Sequence, residues 1–416
     1  MPEITLIRHA ESEANADGVW NGRNDGGLSD AGETTLAALG ERLGKQHFDV
    51  VLSSPLARAV STARAFSDQV EIDESLLEID LGRWEGSSRE EIVATDGDYL
   101  RRAMSAGDLR MGHTGETLKE VSHRAIGAID ALGRRLGDGK RAAVVTHGGF
   151  LQAVLNRHLD GRSRRVHSFV ANTSLQRLVW SHQRPRLAVF NDTGHLGPRS
   201  ATVKSHLAMG EPVMALIRHG QTRANVEGRW QGQSDWGLDE TGIRQAEALG
   251  EWYGRLPLVY TSPVGRAHST AKHVAMNDPL VEDGLKEIDM GRWEGLTSDE
   301  IFERWPDLMT TVYREGVDLR RGVDGESWGE LAARFRHTVE NLIPADDGPT
   351  VVVSHGGAIR SYVSSLTETF DTHSESLYTP ANTSVTHVAL TREGPLILDY
   401  SVATHVESLS GGESDE

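Results

Sequence analysis

The 416-residue chain has no cysteine, so disulfides, a thiolate nucleophile and Cys-ligated zinc or iron–sulfur centres are excluded, and a reducing compartment is compatible with it. Positive charge is in short supply. Against 61 Asp and Glu stand 43 Lys and Arg, a net charge of −18 that repels polyanions and argues against nucleic-acid or anionic-membrane partners. Six of those 43 are lysine; the arginines that make up the rest offer forked donors wherever they converge on an anion. Long apolar runs are missing as well, since no stretch approaches the ~18 apolar residues of a membrane span. Met1 to Ala10 lacks the charged start and apolar run of a secretory signal, so a cytoplasmic protein is expected. With 13 Pro, 38% hydrophobic and 25% charged residues, the composition is that of soluble globular protein. The length exceeds the roughly 250 to 300 residues at which single cores stop growing, which makes two domains the starting expectation.

Sliding the chain against itself supports that expectation directly. Leu6-Ile7-Arg8-His9 recurs as Leu216-Ile217-Arg218-His219, displaced by about 210 positions. At nearly the same displacement Ser54-Pro55 with Arg58-Ala59 recurs as Ser262-Pro263 with Arg266-Ala267. Glu78-Ile79-Asp80 before Gly82-Arg83-Trp84-Glu85-Gly86 recurs as Glu287-Ile288-Asp289 before Gly291-Arg292-Trp293-Glu294-Gly295. Thr146-His147-Gly148-Gly149 recurs as Ser354-His355-Gly356-Gly357, and Ala171-Asn172-Thr173-Ser174 as Ala381-Asn382-Thr383-Ser384. Such a period is far too long for a solenoid repeat, so each copy is a whole domain. The expected organisation is a first domain over 1–196, a linker over 197–212 rich in Gly, Pro, Ser and Thr, a second domain over 213–407, and a disordered acidic tail over 408–416.

Within the first copy, Ile4–Ile7, Val50–Leu52, Ala142–Val145 and Leu175–Trp180 read as strands, and Ala31–Leu43, Leu56–Phe66 and Leu118–Leu136 as helices. The alternation predicts an α/β fold: two tandem copies of a three-layer α/β/α domain around a mostly parallel sheet. Arg8-His9, Ser54 to Arg58 and Thr146-His147 each follow the carboxyl end of a predicted strand, where open α/β sheets bind ligands.

Five polar residues recur in both copies: Arg8, His9, Arg58, Glu78 and His147, then Arg218, His219, Arg266, Glu287 and His355. Singly, each reads as an ordinary surface or packing residue. Their joint retention between diverged copies favours a shared pocket. Two imidazoles with two guanidiniums make a poor cation site, because the Arg charges repel a divalent ion, so no metal and no cofactor is expected. An anion suits the set instead. Guanidiniums hold the oxygens of a phosphoryl group, one neutral His can attack phosphorus, and a carboxyl can protonate the departing oxygen.

On these motifs both copies resemble the histidine phosphatase superfamily, also called phosphoglycerate mutase-like proteins, with the short-chain broad-specificity phosphatases the nearer branch. The resemblance covers nearly the whole chain apart from joint and tail. It implies that His9 and His219 are the phosphorylated nucleophiles, Glu78 and Glu287 the proton donors, and the Arg pairs with His147 and His355 the phosphate pocket. It further implies phosphate contacts for Asn15 and Asn225, and loop positions beside the phosphate for Asn21 and Gln231. Ala10 departs from the family's glycine, which Gly220 keeps. Glu85 and Glu294 are the nearest rivals for the acid role and are assigned to the Trp-Glu-Gly turn. His113, His123, His158, His167 and His182 have no His counterpart in the other copy and default to surface or packing roles.

The function expected is that of a metal-independent phosphomonoesterase with two active sites for small phosphorylated metabolites; a mutase or a protein phosphohistidine phosphatase is the alternative. About 30 residues separate Gly86 from Gly115, fewer than the long closing segments of mutases, and that favours hydrolysis. The oligomeric state is open, with the two copies candidates for a pseudo-dimer. Asp108-Leu109-Arg110 and Asp318-Leu319-Arg320 also match, inside a segment that otherwise diverges. Two readings stand: an Asp-to-Arg pair that fixes the cap, or Arg110 and Arg320 at the pocket rim holding a second anionic group of the substrate.

Overall fold

The computed structural model describes residues 1–159, 165–181, 184–367 and 376–409. By backbone contacts it divides into two compact units, one built on Met1–His158 and Phe169–Leu187, the other on Leu159–Ser168 and the chain from Ala188 onward. Each holds a six-stranded sheet.

In the first, β1 (Glu3–Arg8), β2 (Val50–Ser53), β3 (Glu71–Ile72), β4 (Arg141–Thr146), β5 (Leu175–Ser181) and β6 (Arg184–Asp192) lie in the order β3-β2-β4-β1-β5-β6. The pairs β1/β4, β2/β4 and β2/β3 are parallel and β1/β5 is antiparallel. The second sheet repeats this with β7 (Val213–Arg218), β8 (Val259–Thr261), β9 (Leu280–Val281), β10 (Thr350–Ser354), β11 (Val385–Thr391) and β12 (Gly394–Ile397), in the order β9-β8-β10-β7-β11-β12. The expected tandem α/β architecture is what the chain adopts.

Helices form where apolar spacing and capping agree. In the first copy these are α1 (Asp30–Leu43), α2 (Ala57–Arg64), α3 (Arg89–Ala106), α4 (Leu118–Arg135) and α5 (Gly148–Leu159). Ser29, Ser88 and Thr117 cap α1, α3 and α4 by accepting backbone N–H groups. The joint carries α6 (Ala201–Ala208), capped by Ser200, whose Val203 is buried with Val213, Ala389 and Leu398. The second copy has α7 (Glu240–Tyr253), α8 (Gly265–Val274), α9 (Ser298–Arg304), α10 (Pro306–Tyr313), α11 (Trp328–Glu340) and α12 (Gly356–Leu366). Where α3 runs through with one non-helical residue at Asp96, the second copy breaks into α9 and α10 at Trp305, just before a proline that cannot continue a helix. Of the expected tail, 410–416 lie outside the described residues, as does His182.

Strand alternation sorts the core. Ile7, Val51, Ala143, Val145 and Leu175 face α1 and α2, packing on Leu39, Leu43, Ala59 and Ala63. The intervening Leu6 and Val144 are equally buried toward the opposite layer. No helix among the described residues is long and apolar enough to cross a membrane.

Two glycines of α4 make opposite demands. A Cβ on Gly133 would lie 2.1 Å from the Trp180 ring, whereas one on Gly127 would meet nothing within 4 Å. Gly133→Ala is therefore expected to destabilise by about 1–3 kcal/mol through overpacking, and Gly127→Ala to stabilise by about 0.5–1 kcal/mol. Urea unfolding of the two variants checks both signs.

Candidate active site

Parallel pairing assembles the site. Arg8 at the end of β1 is in register with Thr146 at the end of β4, and Ser53 at the end of β2 with Val145, so the next residues of each chain segment meet at one sheet edge. The rings of His9 and His147 come to 5.0 Å between centroids. In the second copy Arg218 pairs with Ser354 and Thr261 with Val353, and His219 lies 5.3 Å from His355. All four imidazoles are at most 3% exposed.

Hydrogen bonds orient the first ring of each pair. Nδ1 of His9 is 2.7 Å from the Ala10 carbonyl, and Nδ1 of His219 2.7 Å from the Gly220 carbonyl. A carbonyl only accepts, so Nδ1 carries the proton and Nε2 keeps a lone pair. That lone pair faces Arg58 Nε at 3.3 Å, and in the second copy Arg266 Nε at 3.1 Å. Burial, then the charges of Arg8 and Arg58, hold His9 well below the usual imidazole range. Burial, then Arg266 and Arg218, does the same to His219.

The second ring is held by a serine: His147 Nε2 lies 2.7 Å from Ser54 Oγ and His355 Nε2 2.8 Å from Ser262 Oγ. The remaining nitrogens, His147 Nδ1 and His355 Nδ1, are buried and have no hydrogen-bond partner among the described residues. The same is true of Arg8 Nε and Arg218 Nε, although their Nη1 atoms donate to the carbonyls of Val170 and Pro380 at 2.6 Å. Each copy thus leaves the same two buried nitrogens unsatisfied, a cost that a fold accepts where a ligand supplies the partner.

Arg58 and Arg266 are tied down differently. Nη1 and Nη2 of Arg58 donate to the carbonyls of Asn24 and Gly22 at 2.8 and 2.7 Å, with Asn21 O at 3.4 Å. Arg266 repeats this with Ser234 and Gly232. The loop they grip is closed from the far side by Glu85, which accepts from the amides of Gly22 and Arg23, and by Glu294, which accepts from Gln233 N and Ser234 Oγ. Those contacts place Glu85 and Glu294 against this loop.

Glu78 accepts from Gly149 N at 2.9 Å and Phe150 N at 3.0 Å, and Glu287 from Gly357 N at 2.9 Å, so each carboxylate sits at a helix N-terminus. A Cβ on Gly149 or on Gly357 would lie 2.6 Å from the carboxylate, which is why glycine follows His-Gly in both motifs. The charges of Glu78 and Glu287 act on Arg8 and Arg58, and on Arg218 and Arg266. The second site opens into a cavity of about 440 Å³ lined by Arg218, His219, Asn225, Gln231, Arg266 and Glu287 among others.

The model of the histidine phosphatase superfamily, branch 1, matches residues 4–193 and again 214–402. This chain belongs to that superfamily. A protein of Mycobacterium tuberculosis called a bifunctional protein is 37% identical over 156 residues, 36% of this chain and 42% of its own length. The metal-independent phosphoserine phosphatase of Arabidopsis thaliana is 32% identical over 204 residues, 47% of this chain and 84% of that protein. A glucosyl-3-phosphoglycerate phosphatase of Mycobacterium tuberculosis is 35% identical over 167 residues, 37% of this chain and 74% of that protein. The chain therefore spans less than half the length of the first of these relatives.

Within this histidine phosphatase fold the other expected residues have definite places. Asn15 Oδ1 accepts from Asn172 Nδ2 at 3.2 Å, and Asn225 Oδ1 from Thr222 N at 3.1 Å. Gln231 Oε1 accepts from Thr222 Oγ1 at 3.1 Å. Of the two readings for Arg110 and Arg320, the Asp-to-Arg pair is replaced by a pair with a glutamate. Arg110 pairs with Glu120 at 3.1 Å and donates to Gly115 O at 2.8 Å, and Arg320 pairs with Glu330 and donates to Gly325 O. Both acids are capping-box residues at helix N-termini, so the matched arginines tie the cap segment to α4 and α11. Asp318 pairs with the next residue, Arg321, and Arg321 rather than Arg320 lines the cavity.

Sequence reasoning missed Asn172 and Asn382, whose Nδ2 atoms donate to the backbone oxygens of His9 and His219 at 2.9 Å. Their repeat was visible as Ala-Asn-Thr-Ser, but a role as a brace behind the histidine was not. The following Thr173 and Thr383 take left-handed φ of 58° and 54°, strain that a threonine holds only where the surroundings demand it.

Because all four site imidazoles titrate lower in the fold than in an unfolded chain, the unfolded chain takes up protons first as pH drops. Their contribution to stability is complete about a pH unit above the unfolded value of about 6.5 and is lost as pH falls through that value toward the folded ones. Stability is expected to decline between about pH 7.5 and 5.5, with a shallower slope in His147→Asn/His355→Asn. Denaturant midpoints measured across that range give the slopes.

Proposed function

We propose that both copies hydrolyse phosphate monoesters of small metabolites through a phosphohistidine intermediate, without a metal, as cytoplasmic enzymes. The observation that carries this reading is the pair of unsatisfied buried nitrogens repeated in each copy, Arg8 Nε with His147 Nδ1 and Arg218 Nε with His355 Nδ1, beside a neutral imidazole whose Nε2 lone pair meets only an arginine Nε among the described residues. In this reading the hydroxyls of Ser54 and Ser262 donate to the other ring nitrogen at 2.7 and 2.8 Å, so that His147 and His355 carry their proton on Nδ1 and act as donors. Donors aimed at one spot, out of water, suit the oxygens of a phosphoryl group and stabilise the charge that develops on them.

His9 Nε2 attacks phosphorus with its lone pair while the phosphorus–oxygen ester bond breaks, and Glu78 delivers the proton that the departing alkoxide takes. Water then attacks the phosphoramidate, Glu78 recovers a proton from it, and the electron pair returns to Nε2. His219 and Glu287 repeat the cycle. The amides of Gly149 and Phe150 hold the Glu78 carboxyl in place for both transfers. The fixed arginines supply the positive charge a metal would otherwise bring.

The His9→Ala/His219→Ala variant is expected to lose at least about 1,000-fold of p-nitrophenyl phosphate turnover, each single variant keeping the other copy's share. Wild-type turnover in the double variant would sink the reading, as would activity lost in EDTA and restored by Mg²⁺. Glu78→Gln in the His219→Ala background is expected to slow an alkyl phosphate by about 100-fold or more and p-nitrophenyl phosphate far less, since nitrophenolate departs without a proton. Equal slowing would reduce Glu78 to a positioning role.

A further inference from the structure

His405 is a repeated histidine that the reaction above does not use. It answers His195 at the displacement of the site residues, although Asp192, Thr193 and Gly194 before His195 become Val402, Ala403 and Thr404. The ring belongs to the 3₁₀ turn Thr404–Val406 and stacks on Trp252 of α7, 4.9 Å between centroids and 21° between planes. Its Nε2 lies 3.0 Å from Thr383 Oγ1, while Nδ1 is buried and has no hydrogen-bond partner among the described residues.

A single proton sets the direction of the contact to Thr383. The threonine hydroxyl lies 2.8 Å from the Asn382 carbonyl, and because a carbonyl only accepts, the hydroxyl proton goes there. The oxygen then offers His405 a lone pair, so Nε2 is the donor and Nδ1 is left bare. That is the tautomer of a neutral ring. Burial holds His405 down to about 4, against the pull of the Asp192 carboxylate.

Thr383 needs such a donor because of its backbone. Its left-handed φ of 54° is one a β-branched residue keeps only when the surroundings fix it. The segment that ends in His405 does the fixing: Ala381 N donates to Ser401 Oγ at 3.0 Å, and Val385 and Val402 exchange backbone hydrogen bonds at 2.8 and 2.9 Å. His405 completes this clamp at the threonine side chain. The turn so held reaches the site from behind, since Thr383 N and Asn382 Nδ2 both donate to the His219 carbonyl, at 3.3 and 2.9 Å, and Arg218 N donates to Ser384 O at 3.2 Å. Two hydrogen bonds therefore separate the His405 ring from the backbone of His219.

Resting on the hydrolase reading above, we propose that His405 is a positioning residue of the second site: by donating to Thr383 it holds the strained turn that fixes the backbone of His219, and with it the aim of the attacking nitrogen.

The test uses full-length His9→Ala, where the second site works alone, with every variant shown by circular dichroism to be folded at the assay temperature. His405→Phe keeps a ring against Trp252 and removes the donor, and is expected to lower kcat for p-nitrophenyl phosphate by about tenfold with KM within about twofold. His405→Gln, which keeps an N–H near the place of Nε2, is expected to restore most of that loss. Once Thr383→Val has removed the acceptor, adding His405→Phe is expected to cost under about twofold more. A His405→Phe variant with unchanged kcat overturns the proposal, as does a glutamine no better than phenylalanine, or a His405→Phe loss that is as large in Thr383→Val as without it. Should His405→Phe not fold, Thr383→Val alone leaves the imidazole on Trp252 and is expected to show the same loss of about tenfold; unchanged kcat there is equally fatal. If His9→Ala hydrolyses nothing, the hydrolase reading has failed by itself, and proton NMR decides this one. The ring N–H signal that is missing from His219→Ala is expected to shift in His405→Phe and in Thr383→Val and to hold in His405→Gln, and a signal unmoved in the first two overturns the link.

Discussion

Everything in each site depends on keeping one imidazole uncharged while surrounding it with guanidiniums. Burial, then the charges of Arg8 and Arg58, hold His9 below the usual imidazole range, but neutrality is useful only if the lone pair points outward from the correct nitrogen. The carbonyl of the next residue settles that by holding the proton on Nδ1 at 2.7 Å in both copies. The backbone that supplies this carbonyl is braced in turn: Ala10 N donates to Thr62 Oγ1 and Gly220 N to Thr270 Oγ1, both at 3.0 Å. Those threonines also donate to the backbone oxygens of Arg58 and Arg266, so a single hydroxyl links the histidine segment and the arginine in each copy.

A second tier of contacts ties Glu78 and Glu287 to the same frame. Arg124 donates to Leu77 O at 2.7 Å and pairs with Glu116, which accepts from Asp80 N, so the turn that carries Glu78 is clasped on both sides. Arg334 and Glu326 form the same clasp around Glu287. Half-buried ion pairs of this kind contribute modestly to stability on their own. Their value here is geometric, because they fix where the carboxylates of Glu78 and Glu287 stand beside the paired histidines' segment.

Duplication sets the limits within which the copies have changed. Side chains that satisfy a buried polar atom keep their donor or acceptor in both, as where the hydroxyl of Thr146 is replaced by that of Ser354, because losing it leaves an unpaired group in a dry site. The cap faces the cavity and solvent, and there the copies differ in backbone as well as side chain: α3 runs on through Asp96, whereas Pro306 splits its counterpart. First-copy Trp84 donates from Nε1 to Asp96 at 3.0 Å, and Tyr99 stacks on His113. The second copy packs Trp230 and Trp293 on Tyr313 instead.

The sequence by itself determined the duplication and the alternation of strands and helices, and it singled out the five polar residues that each copy then brings together, because repetition marks residues that packing alone would not preserve. Strand and helix positions were legible to within a residue or two at Ile4–Ile7, Ala142–Val145 and Leu118–Leu136, where apolar period and caps agree. What lay beyond it were facts set by distance through space. Arg110 was seen to matter, yet its partner Glu120 is ten residues on and meets it only after the cap segment folds back, so the nearby aspartate looked the better candidate. Asn172 acts on His9 from 163 positions away. Only the tertiary structure decided which side chains face the cavity: neighbouring Arg320 and Arg321 look interchangeable along the chain, and the turn between them sends one to Glu330 and the other to the pocket wall.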